Sequence, residues 1–186
     1  VSGGAPDIGG LVGHNRGLIT DSESGATVEG VTGRVGGLVG YNKVGAIRQS
    51  HATGTVSTDG GALGGLVGRS NAGATVSRSY ATGDIHGDAS YTGGLIGRQD
   101  GNADTKDSYA RGAVDGAGSY SGGLIGLYQS GTVTDSYATG SVASGANHVG
   151  GALGSAGGSV TDVYWDTQST GQSSSPGGLG LTTSQM

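Results

Sequence analysis

Apolar residues in this chain come in short β-branched runs cut by glycine, and the same run returns at a nearly fixed distance. A double glycine, two apolar residues and a third glycine begin at Gly9, Gly36, Gly64, Gly93, Gly122 and Gly150, at intervals of 27, 28, 29, 29 and 28 residues. Each instance leads through a polar turn to a further glycine (Gly17, Gly45, Gly73, Gly101, Gly131, Gly158). Laying the repeats over one another then gives four columns. A β-branched column holds Ile19, Ile47, Val76, Thr105, Val133 and Val160. Next come Ser22, Ser50, Ser79, Ser108, Ser136 and Val163, followed directly by Glu23, His51, Tyr80, Tyr109, Tyr137 and Tyr164. The last column holds Val28, Val56, Ile85, Val114 and Val142.

Runs this short, β-branched and bounded by glycine read as strands, and no window carries a helical stripe. One repeat cannot bury its few aliphatic side chains alone, but stacked repeats turn each column into a ladder. The expected fold is therefore all-β: a right-handed parallel β-solenoid (β-helix) of about six coils of 27–29 residues. Two to three strands per coil fit that length. A propeller is the rival, but its blades ordinarily take roughly 40–50 residues. The reading divides the chain into a lead-in over 1–8, the solenoid over 9–165, and a cap or linker over 166–186. Within that tail, Val163–Asp166 should continue the last strand, Trp165 should cover the apolar end, and Ser169–Gly178 should be a loop.

Alternation along a strand places each serine and the next residue on opposite faces. The serine column accepts Val163, whereas the tyrosine column accepts Glu23 and His51, so serine should point inward and tyrosine outward. The two adjacent aliphatics of the glycine motif break simple alternation. A bulge at glycine that turns both inward is expected, because exposing them would leave an apolar stripe.

Composition narrows the picture further. Glycine supplies 44 of 186 residues without a collagen period, and there is no cysteine, so neither a disulfide framework nor a thiolate metal site is available. The net charge of −5 speaks against nucleic acid as a partner. Every Lys and Arg lies between Arg16 and Arg111. No segment is long and apolar enough to span a bilayer as a helix, and membrane insertion is not expected. The chain opens on Val1 without a signal peptide, which reads as part of a larger chain.

The Gly37-Leu38-Val39-Gly40 and Gly65-Leu66-Val67-Gly68 cores, with Ser79-Tyr80-Ala81-Thr82-Gly83 and Ser136-Tyr137-Ala138-Thr139-Gly140, resemble the GLUG repeat. The resemblance runs from about Gly9 to Tyr164. The tail from Val163-Tyr164-Trp165-Asp166-Thr167 to Met186 resembles the segment that closes such arrays in filamentous-haemagglutinin-like exoproteins. The resemblance implies a secreted or surface-attached bacterial protein, often an adhesin, and in some cases the repeat region of a bacterial IgA peptidase. It brings no catalytic residues. Repeats one, four and six depart from the pattern at Glu23, Arg111 and Ala152.

Candidate chemistry is sparse. His14, His51, His86 and His148 are isolated in sequence, so no zinc-peptidase motif is built, and GGxxG is not the calcium nonapeptide. Asp107, Asp135 and Asp162, with Asp21 in the first coil, form an acidic column that a cation or a glycosidase-like carboxylate pair would use. A solvated edge relaxed by Lys106 is the simpler reading. Thr53, Thr82 and Thr139 invite an ice-binding reading, but Arg111 interrupts their row. The expected function is a structural or adhesive segment without catalysis or cofactor. Its candidate contact surface for polysaccharide or a cell-surface receptor is Tyr80, Tyr109 and Tyr137, flanked by His51, Thr82 and Thr139: an aromatic strip whose flat faces are expected to stack on sugar rings. Ice binding and a polysaccharide-degrading β-helix are the alternatives.

Overall fold

The computed structural model describes residues Val1–Met186. Every strand pairs in parallel with its equivalent one coil away, so the columns of the sequence become hydrogen-bonded ladders. The first ladder has six strands: Ser2–Gly3, Val28–Gly30, Val56–Thr58, Ile85–His86, Val114–Gly116 and Val142–Ser144. The second, also of six, holds Asp7–Gly9, Arg34–Gly36, Ala62–Gly64, Tyr91–Gly93, Tyr120–Gly122 and His148–Gly150. A third ladder of five runs from Val12–Asn15 to Ile125–Tyr128. The fourth sheet contains two ladders, one through the β-branched column and one through the tyrosine column, which fuse in Thr132–Ala138 and Ser159–Asp166. A complete coil thus has five short strands, more than the two to three expected. Glycine and positive-φ residues divide the coil more finely than the apolar pattern reveals. Residues 1–8, expected as a lead-in, already supply strands to the first two ladders.

The glycine motif is a corner at which backbones meet. Leu38 and Val39 both donate their amides to the carbonyl of Leu66, at 3.0 Å each, and Leu66 and Val67 do the same to Leu95. Two successive amides on one carbonyl constitute a bulge, and it turns both side chains inward. Leu38, Val39, Leu66, Val67, Leu95, Ile96, Leu124 and Ile125 are fully buried, each worth ~1.5–3 kcal/mol against exposure. The second glycine of the motif is obligatory for space: a Cβ on Gly94 would sit on the carbonyl oxygen of Gly123, and 2.9 Å from Cβ of Ala110. The small residue of the Ser-Tyr-Ala element therefore faces the small residue of the glycine motif.

The serine column is an inward ladder of its own. The residue before each member of this column (Asp21, Gln49, Arg78, Asp107 and Asp135 before serines, Asp162 before Val163) has φ between 48 and 51°, a left-handed kink that Asp tolerates better than most residues. The amides of Ser50, Ser79 and Ser108 donate to the serine hydroxyl one coil on, each at 3.2 Å. Each hydroxyl in turn donates to a carbonyl two residues back, as Ser79 does to Ser77 at 2.8 Å. A side chain thus fills the hydrogen-bonding gap at the kink, and these serines are buried.

Side chains pack into a main cluster of 21 residues and a smaller one of 9. At the C-terminal end Trp165 occupies the alanine column and Ala152 the leucine column of the same cluster, a large-for-small exchange matched by its reverse. The tail then satisfies groups that a further coil would have paired. Ser174 accepts from Gly151 N, the Ser175 hydroxyl accepts from Leu153 N, and Gln172 Nε2 donates to Val142 O. Trp165 Nε1 donates to Gln172 O at 3.0 Å. Leu179–Leu181 adds a last parallel strand beside Tyr164–Asp166. The expected loop gives up its first residues, since Ser169 and Thr170 belong to a single helical turn, Thr167–Thr170.

Asp166 caps that turn, accepting from Gln168 N and Ser169 N, while Thr183 Oγ1 donates to its other oxygen at 2.7 Å. Burial alone would raise its pKa, but the bonds from Thr183, Ser169 and Gln168 outweigh burial and hold the carboxyl below its ordinary 3.8. The folded state therefore binds this proton less readily than the unfolded chain. Its stabilising contribution is complete above the ordinary value and is lost as pH falls through the lower, folded value. Below about pH 4 we expect proteolysis of the tail after Gly171 to accelerate, and Asp166→Asn to remove that acid step. Identical acid profiles for the two proteins would contradict the assignment.

Candidate functional site

The tyrosine column faces outward, as its tolerance of Glu23 and His51 implied: His51, Tyr80, Tyr109 and Tyr137 are half-buried while the serines beside them are buried. Parallel register places each ring over its equivalent. Ring centroids are 4.6 Å apart for His51–Tyr80, 4.8 Å for Tyr80–Tyr109 and 5.0 Å for Tyr109–Tyr137, with interplanar angles of 9°, 3° and 7°. Glu23 extends the line, its carboxylate 3.2 Å from His51 Nε2.

This geometry corrects one element of the expected chemistry. The flat faces expected to stack on sugar rings are turned onto one another within the column. What the column offers to solvent is ring edges and a row of hydroxyls. Thr53 and Thr82 lie exposed beside it and Thr139 is half-buried. Arg111 breaks the threonine row: its guanidinium lies 4.9 Å from the Tyr109 centroid and 5.8 Å from that of Tyr137, and donates to Tyr137 Oη at 2.8 Å. Burial, and then the neighbouring Tyr137, raise the pKa of Tyr109 above its ordinary value. The hydrogen bond to Tyr137 raises that of Arg111.

Asp107, Asp135 and Asp162 are exposed, and their left-handed backbone accounts for the choice of residue. No three His, Asp or Glu side chains in the molecule converge to hold a metal ion. No helix is long and apolar enough to cross a membrane.

A second outward cluster escaped the sequence reading. The column after the glycine motif (His14, Tyr41, Arg69, Arg98, Leu127) lies across the corner from the column Asp7, Arg34, Ala62, Tyr91, Tyr120 and His148. Arg34 lies 4.2 Å from the Tyr41 ring centroid and pairs with Asp7. Arg69 and Arg98 share Asp100, at 2.8 and 2.6 Å. Tyr120 stacks on His148 at 4.4 Å. Both columns are present in the aligned repeats, but nothing in a single strand reveals that the bend brings them together.

Inside the corner, Tyr128 ends a buried polar column. Its hydroxyl lies 2.7 and 2.8 Å from the carbonyls of Gly131 and Ser159, and its pKa is pushed up to about 12 by burial and then by Asp104. This group is structural.

Because the outward rings stabilise one another, replacing Tyr80, Tyr109 and Tyr137 together by serine should cost stability. Each parallel pair is worth ~0.5–1.5 kcal/mol beyond area burial. We expect a clear fall in the denaturation midpoint with the parallel-strand circular dichroism retained. A midpoint equal to that of the parent would show the stack to be energetically idle.

Comparison with protein-family models matches residues 31–57, 59–85 and 117–143 to the GLUG motif. No curated protein and no solved structure matches the chain. Each match runs once around the coil, from the turn before the second ladder, through the glycine corner, to the first ladder again. The remaining coils share the same columns and pairing. The chain is thus a β-solenoid carrying three GLUG motifs, which fits a repeat region of a larger protein.

Proposed function

We propose that this chain is a structural and adhesive segment of a larger bacterial protein, secreted or held at the cell surface, and that it carries no reaction of its own. The observation that supports this best is the column His51–Tyr80–Tyr109–Tyr137, stacked at 4.6–5.0 Å along an all-parallel ladder. A stack of like on like forms a stiff element, and its outward edge carries a periodic line of hydroxyls. Thr82 and Thr139 add further donors and acceptors along that edge. Such a surface suits repetitive partners, a polysaccharide or a glycosylated cell-surface receptor, through many weak contacts. Adhesive contact of this kind needs no enclosed pocket.

The test is retention of the fluorescently labelled protein on polysaccharide-coated surfaces and on intact cells. We expect retention by the parent and reduced retention by the Tyr80/Tyr109/Tyr137 serine variant at a temperature where both are folded. Equal retention by the two would remove the column from the contact surface. Release of new reducing ends from any of the polysaccharides would overturn the non-catalytic reading.

A further inference from the structure

We infer that the C-terminal end of the tyrosine stack forms a subsite for a sugar residue bearing a carboxylate. The inference rests on the adhesive reading above and names the chemistry that the surface selects. Within the stack the rings cover one another: Tyr109 lies between Tyr80 and Tyr137, at 4.8 and 5.0 Å. The stack stops at Tyr137. Tyr164 is next in register, yet its hydroxyl lies 3.4 Å from Asp162 Oδ1 and its ring is not laid on that of Tyr137. Both rings line an open cleft of about 670 Å³, within the ~300–1,000 Å³ usual for small-molecule sites. Here the aromatic column meets open space instead of another ring.

The polar groups lining the cleft are chiefly donors. Arg111 donates one N–H to Tyr137 Oη at 2.8 Å, and a guanidinium has five. The Gln185 carbonyl already accepts from Thr182 N and Thr182 Oγ1 at 2.9 and 3.0 Å, which leaves its amide NH₂ as the available end. Thr139 adds a hydroxyl, and no Asp or Glu side chain lines the cleft. Asp162, just outside, is engaged by the Tyr164 hydroxyl, and a permanently charged guanidinium among neutral lining groups selects an anionic ligand. The apolar side chains of Leu181 and Met186 complete the wall and suit the C–H face of a pyranose. Aromatic ring, apolar wall and guanidinium together match a uronic acid better than a neutral sugar or a bare phosphate.

The tail also sets how such a ligand arrives. Leu179–Leu181 forms the rung beyond Tyr164, so a glycan lying along the stack meets this wall and enters with its terminal residue or a branch.

The experiment is calorimetric or NMR titration of the whole chain with the linear trimer of galacturonic acid and with the uncharged galactose trimer. We expect the acidic trimer to bind about tenfold more tightly, the ratio that one charge-assisted hydrogen bond supplies. Arg111→Gln should abolish that preference and leave the neutral trimer unchanged, whereas Arg111→Lys should keep part of it. Tyr164→Ala should weaken both, and Tyr80→Ser, several rungs away, neither. Equal binding of the two trimers, binding of neither, or an unaltered preference in Arg111→Gln would overturn the subsite. The surface-retention assay separates this failure from that of the adhesive reading. Retention lost in the tyrosine-to-serine variant but unchanged in Arg111→Gln and Tyr164→Ala overturns the cleft alone.

Discussion

Backbone pairing between a residue and its equivalent one coil later is the constraint from which the other features follow. The amide of Val56 donates to Asp84 O, that of Ile85 to Ala113 O and that of Val114 to Ser141 O, at 2.8–3.0 Å. These partners are 27 or 28 residues apart in sequence, and no coil is complete without its neighbours. A ladder in strict register favours columns whose members tolerate their own kind, or, on the surface, complement one another as Asp7 with Arg34 and Glu23 with His51 do. Val, Ile, Leu and Ala stack inside; Ser and Tyr stack at the kink. The glycines of the repeated motif mark the corner where backbones meet with no room for a Cβ.

The kink before the serine shows how a local defect is absorbed. A left-handed residue in every coil takes one amide out of ordinary pairing, and a buried amide without a partner costs about 1–3 kcal/mol. The serine hydroxyl supplies the missing acceptor, and because the next coil does the same the repair is itself periodic. The kink also separates the β-branched column from the outward column. It thereby sets the tyrosine rings over one another on the surface, and the outward aromatic column is a consequence of the repair.

Much of this was legible in the sequence because one chain carried its own alignment. The period, the parallel stacking, the inward serine, the outward tyrosine and the burial of both motif aliphatics in the inner coils were readable from columns, whereas Leu11 of the first motif, on the end coil, is exposed. Val163 in one column and Glu23 with His51 in the other decided the facing. What was not legible depended on angles. The break between the β-branched strand and the outward strand in the first four coils falls at the left-handed residues Asp21, Gln49, Arg78 and Asp107, which composition does not reveal. The covered ring faces follow from stacking at under 5 Å for His51–Tyr80 and Tyr80–Tyr109; the column predicted a strip but not its tilt. The corner of Arg34, Tyr41, Arg69 and Asp100 joins columns from two different strands. The cleft beside Tyr164 needs the tail folded back, and a tail that leaves the repeat register has no column to read.

Native-state amide exchange, followed residue by residue, tests most directly whether stability resides between coils. If it does, the Ser79 amide, whose acceptor is the hydroxyl of Ser108, should exchange as slowly as Val56 and Val67, bonded to Asp84 and Leu95 carbonyls. All three should share one opening free energy, with the amides of the first coil opening more readily. Fast exchange at Ser79 amid protected neighbours, or separate opening energies for each repeat, would contradict the account.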